Sequence, residues 1–441
     1  MLVMKFGGTS IGTAKAIKQT AKVIKSKLGQ DLIIVVSALA GVTNQLIDLA
    51  NLAKDCKGYR SKLKEVEERH LKIIKQLSLD EKLISKEFRE LHAALKGVAC
   101  LKELTPRTLD KVMSVGEICS AKIVAAYLNK LDIEAKAHNS WEIGIETDSV
   151  HTKATLNNKS YQKIKKNLVK LKHVPVITGF IAKDDKGEVT TFGKGGSDLT
   201  AAIIGTALNV KEIQIWTDVN GVMTCDPKVC KKAKSINKMS FREAAELAYF
   251  GAKILHPASI QPAMKKNIPV IVKNTFNPSF PGTKVVCKKS GKTLVTGIAL
   301  RKDITEITIE SSRMLNAPGF MYQIFRVFHE EEASVDLVAT SEVSVSLTLD
   351  EKSEHLEVIE KKLANLGKVS IKQNHSIICI VGDGVQDNPK LKGEIINTIA
   401  QANIPIKMIS QGASSINIGI VVENKDAEKA VRLLHCRFVE G

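Results

Sequence analysis

A chain of 441 residues, 44% apolar and 25% charged, is long enough for two or three domains with sizeable cores. It has no apolar run near the roughly 20 residues of a membrane span and no basic-then-apolar N-terminal stretch, so neither a membrane partner nor a secretory signal is expected. The net charge of +18 raises nucleic acid as a partner, but the lysines are dispersed and aromatics are only 4%, so none is expected. The eight cysteines lack CxxC spacing. Cys225 and Cys230 have no second pair to complete a zinc site, so the set reads as reduced thiols of a cytoplasmic protein, with no metal site among the cysteines.

The first predicted strand, Val3–Phe6, carries Lys5 and breaks into Gly7-Gly8-Thr9-Ser10 ahead of a predicted helix from Ala14 to Lys27. A strand that ends in Gly-Gly and opens a helix is one way to cradle phosphate, because glycine lets N–H groups converge and a helix N-terminus favours an anion. The lysine precedes the glycines, which is not the P-loop order. The same residues also suit an ordinary buried strand and turn. Leu32–Val36 is continuously apolar, as in a strand buried on both faces. It ends in the small-residue loop Ser37–Asn44, which opens another helix. This repeated logic predicts a mostly parallel α/β sheet with ligands at the strand C-termini.

From Arg60 the apolar residues Leu63, Val66, Leu71, Ile74 and Leu77 recur at helical spacing. Ser78-Leu79-Asp80 breaks the pattern, and a second amphipathic stretch runs from Glu81 to Lys96. A helical hairpin on the edge of the sheet is expected, either covering a site or simply packing. Pro106 opens a helix to about Lys130 that carries Glu117, which by itself reads as one more solvated glutamate on a helix. Ala135–Thr147 reads as strand and loop, and Val174–Phe180 as another buried strand.

In Thr190–Ala202, three glycines and Lys194 lead to Ser197, an expected N-cap, and a helix from Asp198 to about Leu208. Glycine N–H groups, a lysine and a helix N-terminus converge there on an anion site. Asp198 also complements the helix dipole. The strand Ile213–Trp216 precedes Thr217–Lys228, an irregular loop marked by Asn220-Gly221 and Asp226-Pro227. Loops at such positions commonly carry function. Ser240–Glu243 is a capping box opening a helix to Phe250. His256, before Pro257, reads as structural, and a helix and the strand Val270–Val272 follow.

Near Gly282–Gly297 the chain changes domain. Ile304–Glu310, Phe320–His329, Val335–Val338, Val343–Leu349, Leu356–Leu366 and Val369–Ile371 read as βαββαβ. Ile377–Val381, Leu391–Gln401, Ile406–Ile409, Ile416–Val422 and Ala427–Leu434 read as βαββα, with a period of roughly 70 residues. Neither half shows a nucleophile–base pair or a metal-ligand cluster, so ligand sensing or dimerisation is expected.

Taken in order, Lys5–Ser10, Val36–Asn44, Gly193–Asp198, Thr217–Pro227 and Gly251–Pro257 resemble an aspartate kinase of the amino-acid kinase superfamily. The C-terminal pair resembles two ACT domains, and Ser334–Val345 is similar to the lysine-sensitive, monofunctional members. The resemblance implies an amino-acid kinase catalytic domain over 1–290, with a helical insertion at 60–100. Ferredoxin-like βαββαβ regulatory units would follow at 298–373 and 374–441, with no further catalytic domain expected. It implies phosphoryl transfer from ATP, with Mg²⁺, to the β-carboxylate of L-aspartate. That is the first step toward the aspartate-derived amino acids. Feedback by L-lysine and a homodimer or tetramer built through the ACT domains are also implied. The chemistry explains why no general base was found. A carboxylate nucleophile has a pKa near 4 and is already ionised. The obstacle is charge repulsion, which cations, N–H donors and positioning must overcome.

By resemblance, Lys5 stabilises the transferred phosphoryl group, Gly7 and Gly8 donate N–H groups, Phe6 flanks the nucleotide, and Asp198 organises lysine and metal. Ser37, Thr43, Glu117, Lys194 and Ser197 fall at aspartate-binding positions. Thr217, Asp218, Met223, Lys228, Lys253 and Ile254 fall at nucleotide positions. Met314, Phe320, Met321, Ser334, Val335, Asp336, Ser341 and Glu342 match the lysine-site pattern, where an aspartate beside backbone groups suits an effector ammonium and dimer packing is the plainer alternative. Lys194 and Lys228 stand where arginine is usual, turning bidentate recognition into a point charge, and Met223 replaces a tyrosine hydroxyl. Competing readings are another amino-acid kinase, a non-catalytic amino-acid sensor, and a nucleic-acid-binding protein suggested by charge alone.

Overall fold

The computed structural model describes residues 1–251, 255, 257–289, 294–350, 355–412 and 416–440. The backbone divides into two compact units. Met1–Val222, Asn237–Phe241 and Ile254–Lys288 make the first; Met223–Ile236, Arg242–Lys253 and Lys289–Gly441 make the second.

The strands of the first unit are β1 (Leu2–Phe6), β2 (Leu32–Val36), β3 (Ala135–His138), β4 (Glu146–Thr147), β5 (Val174–Thr178), β6 (Ile181–Asp184), β7 (Val189–Thr191), β8 (Ile213–Thr217), β9 (Lys238–Ser240), β10 (Val270–Asn274) and β11 (Thr283–Val286). Among the described residues they form an eight-stranded sheet, β3-β5-β2-β1-β8-β10-β11-β9, and a small sheet, β4-β6-β7. Only the β10–β11 pairing of the large sheet is antiparallel. Every residue of β1 and β2 is buried, as continuous apolar runs between helix layers should be. From β1 the chain moves to β2 on one side, and later strands fill the other side from β8 outward. The C-terminal end of β1 is therefore a topological switch point, where open α/β sheets bind ligands.

The helix Ala14–Lys25 ends two residues short of the expected Lys27, and its N-cap Thr13 accepts the Ala16 N–H at 3.1 Å. A short helix at Gly8–Ile11 precedes it and has no sequence signal of its own. The hairpin is present as Tyr59–Gln76 and Ser85–Leu101, reversed through a 3-10 turn at Glu81–Ile84. Its expected place on the sheet edge is corrected. It packs on the helices Val42–Lys54 and Pro106–Lys130, and Leu63, Val66, Ile74, Phe88 and Leu91 join the core that holds β1 and β2. An amphipathic hairpin buries its stripe on available apolar surface, and here that is the outer side of the helix layer. The helix expected from Asp198 starts at Gly196, with Gly195 rather than Ser197 as N-cap. Gly195 has φ +77°, a left-handed conformation that glycine adopts at low cost, and this turns the chain into the helix early.

The second unit contributes β12 (Gly297–Glu310), β13 (Val335–Thr340), β14 (Ser344–Asp350), β15 (Lys368–Val381), β16 (Met408–Ser410) and β17 (Asn417–Glu423). They form one antiparallel six-stranded sheet, β13-β14-β12-β15-β17-β16. Phe320–Glu330 and Leu356–Ala364 cover one ferredoxin-like half, and Pro389–Gln401 and Asn424–His435 cover the other. The separate strands read at Val369–Ile371 and Ile377–Val381 are one 14-residue strand, β15, paired with the equally long β12. Polar Lys372–His375 looks like a break, but the ladder absorbs it with register shifts around Ile304 and left-handed turns at Asp303 and Asn374. The segment Met223–Ile236 also folds into this unit: Met223 bridges Ser235, and Cys225 and Cys230 join its core.

Candidate active site

Three strand ends are stitched together at the switch point. Gly7 N–H donates to the Trp216 carbonyl at 2.9 Å, Ser37 N–H to Phe6 at 3.2 Å, and Ala40 N–H to Gly8 at 3.1 Å. A Cβ on Gly8 would lie 2.8 Å from the Ala38 carbonyl oxygen and 3.0 Å from the Ala40 nitrogen, so the turn admits no side chain there. The expected donation by Gly7 needs correction, since its N–H is already taken by β8. Gly8 opens a helix, where an N–H has no intrahelical partner.

Lys5 is 8% exposed, and its Nζ lies 2.6 Å from Asp198 Oδ1 in the first turn of the Gly196–Leu208 helix. The contact is an ion pair without hydrogen-bond alignment. It joins the two glycine loops, whose sequences are far apart. A cavity of about 520 Å³ opens beside it. Lys5, Ser37, Thr43, Glu117, Lys194, Ser197 and Asp198 all line this space, with Asn44, Met113, Thr152, Phe180 and Thr191. Lys194 is the exposed cation of the set and Ser197 is buried.

Glu117, midway along the Pro106–Lys130 helix, is 2% exposed. Its Oε1 accepts the Ala38 N–H at 3.0 Å, and its Oε2 has no hydrogen-bond partner. Burial pushes its carboxyl up to about 8, against the pull of the Ala38 N–H and the Lys5 charge. A carboxyl oxygen left unpartnered in so dry a setting costs free energy until a donor reaches it.

Sequence reasoning missed two supporting side chains. Asp110 is fully buried and accepts from Thr191 Oγ1 at 2.7 Å, Thr152 N–H at 3.0 Å and His151 Nδ1 at 3.0 Å. Burial raises its pKa, and these donors oppose the shift, Thr191 first. It thereby holds Thr152 and Thr191, two residues of the cavity wall. The available signal was its spacing with Met113 and Glu117, which puts all three on one helix face. Arg69, on the hairpin, donates to the Ala40 carbonyl at 2.8 Å and to Gln45 Oε1 at 3.3 Å, bracing the loop that carries Ser37 and the first turn of the helix that carries Thr43.

Of the nucleotide candidates, Phe6 ends β1 and is fully buried. Thr217 ends β8, and its hydroxyl donates to Asp218 Oδ1 at 3.0 Å. Met223 and Lys228 belong to the second unit; Met223 is half-buried, and exposed Lys228 donates its N–H to Asp226 Oδ1 at 2.8 Å. Lys253 and Ile254, like His256, lie outside the described residues.

Of the effector candidates, Phe320 sits in the apolar core under β12 and β14, and Met314, Met321 and Val335 pack against it. The Asp336 carboxyl is buried. It accepts from Tyr249 Oη at 2.7 Å and from Arg301 Nη1 at 2.9 Å, and its Oδ2 is unpartnered. Burial raises its pKa, with the Tyr249 hydroxyl and the Arg301 charge opposing. Ser334, Ser341 and Glu342 are exposed.

Comparison with known proteins follows the same lines. The model of the amino acid kinase family matches residues 1–274, and that of an ACT domain matches 378–438. Aspartokinase 2, chloroplastic, of Arabidopsis thaliana is 39% identical over 459 residues, spanning 99% of this chain and 84% of its own length. Lysine-sensitive aspartokinase 3 of Escherichia coli (strain K12) is 33% identical over 455 residues, spanning 100% and 99%. The crystal structure of E. coli aspartokinase III in complex with aspartate and ADP (R-state) superposes with a TM-score of 0.84 at 30% identity, covering 100% of both chains. With family, fold and full-length relatives in agreement, the chain belongs to the amino acid kinase family, among its aspartokinases.

Proposed function

We propose that this aspartokinase transfers the γ-phosphoryl group of ATP to the β-carboxylate of L-aspartate, giving 4-phospho-L-aspartate. The observation that carries the reading is the Lys5–Asp198 pair, 2.6 Å apart, facing one cavity with the unpartnered Glu117 carboxyl. The relative solved with aspartate and ADP supports it. The acceptor carboxylate is ionised at neutral pH, so the site's work is electrostatic. Lys5 places a full positive charge beside the transferred group, and Asp198 holds the Lys5 side chain in that position. Gly8 N–H and the N-terminus of the Gly196–Leu208 helix add partial positive charge. Glu117 takes the substrate ammonium; Lys194, a point charge near the cavity wall, takes the α-carboxylate. Ser37, Thr43 and Ser197 supply hydroxyl donors.

Phe6, Thr217, Asp218, Met223, Lys228, Lys253 and Ile254 are assigned to the nucleotide by resemblance. Among the described residues no three His, Cys, Asp or Glu side chains gather as a metal cage. Mg²⁺ arriving on nucleotide phosphates would need few protein ligands, of which Asp198 would be one. When bound, the ion neutralises phosphate charge.

In the same reading 1–290 is the catalytic domain, with 60–100 as its insertion, and 298–373 and 374–441 are ACT-type regulatory units forming a homodimer or tetramer. L-Lysine is the effector, with its ammonium on Asp336; a relative named lysine-sensitive supports this. All eight cysteines are free, which suits a reducing cytoplasm. No described helix is long and apolar enough to cross a membrane. The test is trapping of acyl phosphate as hydroxamate from ATP, Mg²⁺ and a panel of acceptors. Product is expected with aspartate; product with glutamate or N-acetylglutamate instead would assign a different kinase.

A further inference from the structure

We propose that His435 and Glu440, near the end of the chain, are positioning residues for the loop that carries Met223 and Lys228. The inference rests on the assignment of those two residues to the nucleotide.

Met223–Ile236 is closed on itself at its neck and tied to β12 at its entry. Thr224 N–H donates to the Lys234 carbonyl at 2.8 Å, and the Thr224 carbonyl accepts the Ile298 N–H of β12 at 2.7 Å. Between these anchors Val229 and Cys230 N–H groups both reach the Asp226 carbonyl at 2.9 Å, closing one helical turn around Lys228. A chain of side chains then ties this loop to the last helix. Thr224 Oγ1 lies 2.9 Å from His435 Nε2 and accepts the Lys234 N–H at 3.0 Å. His435 Nδ1 lies 2.9 Å from Glu440 Oε1, and Lys232 Nζ is 3.0 Å from Glu440 Oε2. Thr224 stands at the entry of the loop, Lys232 near its exit, and Lys228 between them.

One protonation pattern satisfies every atom. A neutral imidazole donates from Nδ1 to the Glu440 carboxylate and accepts the Thr224 O–H at Nε2. The order hydroxyl, imidazole, carboxylate is that of a hydrolase triad, but Thr224 is buried and its oxygen already has two partners. The arrangement therefore holds backbone in place and does not attack a substrate. His435 is fully buried, so losing either of its partners leaves a ring nitrogen without a bond in a dry setting. The side chains that hold the loop carrying Lys228 thus come from the last helix and the residues just after it.

The test is steady-state kinetics of full-length His435→Gln and Glu440→Ala, with ATP and aspartate varied separately and folding checked by thermal melting. Glu440 is partly exposed, so its variant remains foldable if the buried His435 change does not. The expected result is a rise in KM for ATP of about five- to tenfold, the loss of one buried hydrogen bond. KM for aspartate and kcat should stay within about twofold. Unchanged KM for ATP in the folded variants, or a parallel decline in all three parameters, overturns the inference. Lys228→Ala separates this from the underlying reading: if it leaves KM for ATP unchanged, the nucleotide assignment itself is wrong.

Discussion

Lys5 and Glu117 line the same cavity under opposite physical constraints. Lys5 is held by a carboxylate at 2.6 Å; Glu117 has no partner for one oxygen. Glu117 is raised by burial from 4.5 to about 8, so the folded protein favours its neutral form. The stability from that neutral form is fully present below pH 4.5 and is lost as pH rises through about 8. Glu117→Gln stays neutral at every pH. We expect it to melt with the wild type near about pH 5 and above it near about pH 9, in the absence of substrate. Its KM for aspartate should rise about 30-fold or more, because a charge-assisted hydrogen bond to the ammonium is gone. Identical pH profiles of melting in the two proteins would contradict this account of Glu117. Lys5, Lys194 and Asp198 could be named from the glycine loops that frame them, and Glu117 through the family resemblance. Arg69 and Asp110 could not. Their partners lie 29 and 81 residues away, at Ala40 and Thr191, and neither belongs to a short motif.

Among elements, the strands and glycine loops were the most legible, since buried parallel strands are uninterrupted apolar runs and their ends are punctuated by glycine. The start of the Gly196–Leu208 helix was misread because Ser197 is the better cap by side chain, whereas Gly195 is the residue that can turn left-handed. β12 and β15 were read as shorter strands because polar residues at a bulge look like a loop in one dimension. The hairpin's spacing was plain, but its role was not. Arg69 gives it one, by holding the Ala40 carbonyl between Ser37 and the helix start that bears Thr43. Arg69→Ala should raise KM for aspartate about five- to tenfold with little effect on KM for ATP, as read from initial rates. Equal effects on both substrates would make the hairpin a general support only.

At the scale of the whole molecule, chain order and spatial order part company. Met223–Ile236 and Arg242–Lys253 are embedded in sequence between segments of the first unit yet belong to the second. Hydrophobic periodicity locates elements but not which core each element joins. The same unit holds Asp336, bonded to Tyr249 and Arg301 with one buried oxygen still unpartnered. An effector ammonium on that oxygen would add charge to a network that includes the helix Phe241–Tyr249. Asp336→Asn should shift the lysine concentration for half-inhibition upward by about 30-fold or more; an unmoved inhibition curve would place the effector elsewhere.

The central claim is that the Lys5–Asp198 centre transfers phosphate to aspartate. Its most direct test is hydroxamate formation from ATP, Mg²⁺ and L-aspartate by the wild type and by Lys5→Ala, with aspartate binding measured on both. The account predicts aspartyl hydroxamate from the wild type and none from a folded Lys5→Ala that still binds aspartate. Near-normal turnover in Lys5→Ala, or no acyl phosphate from the wild type, would contradict it.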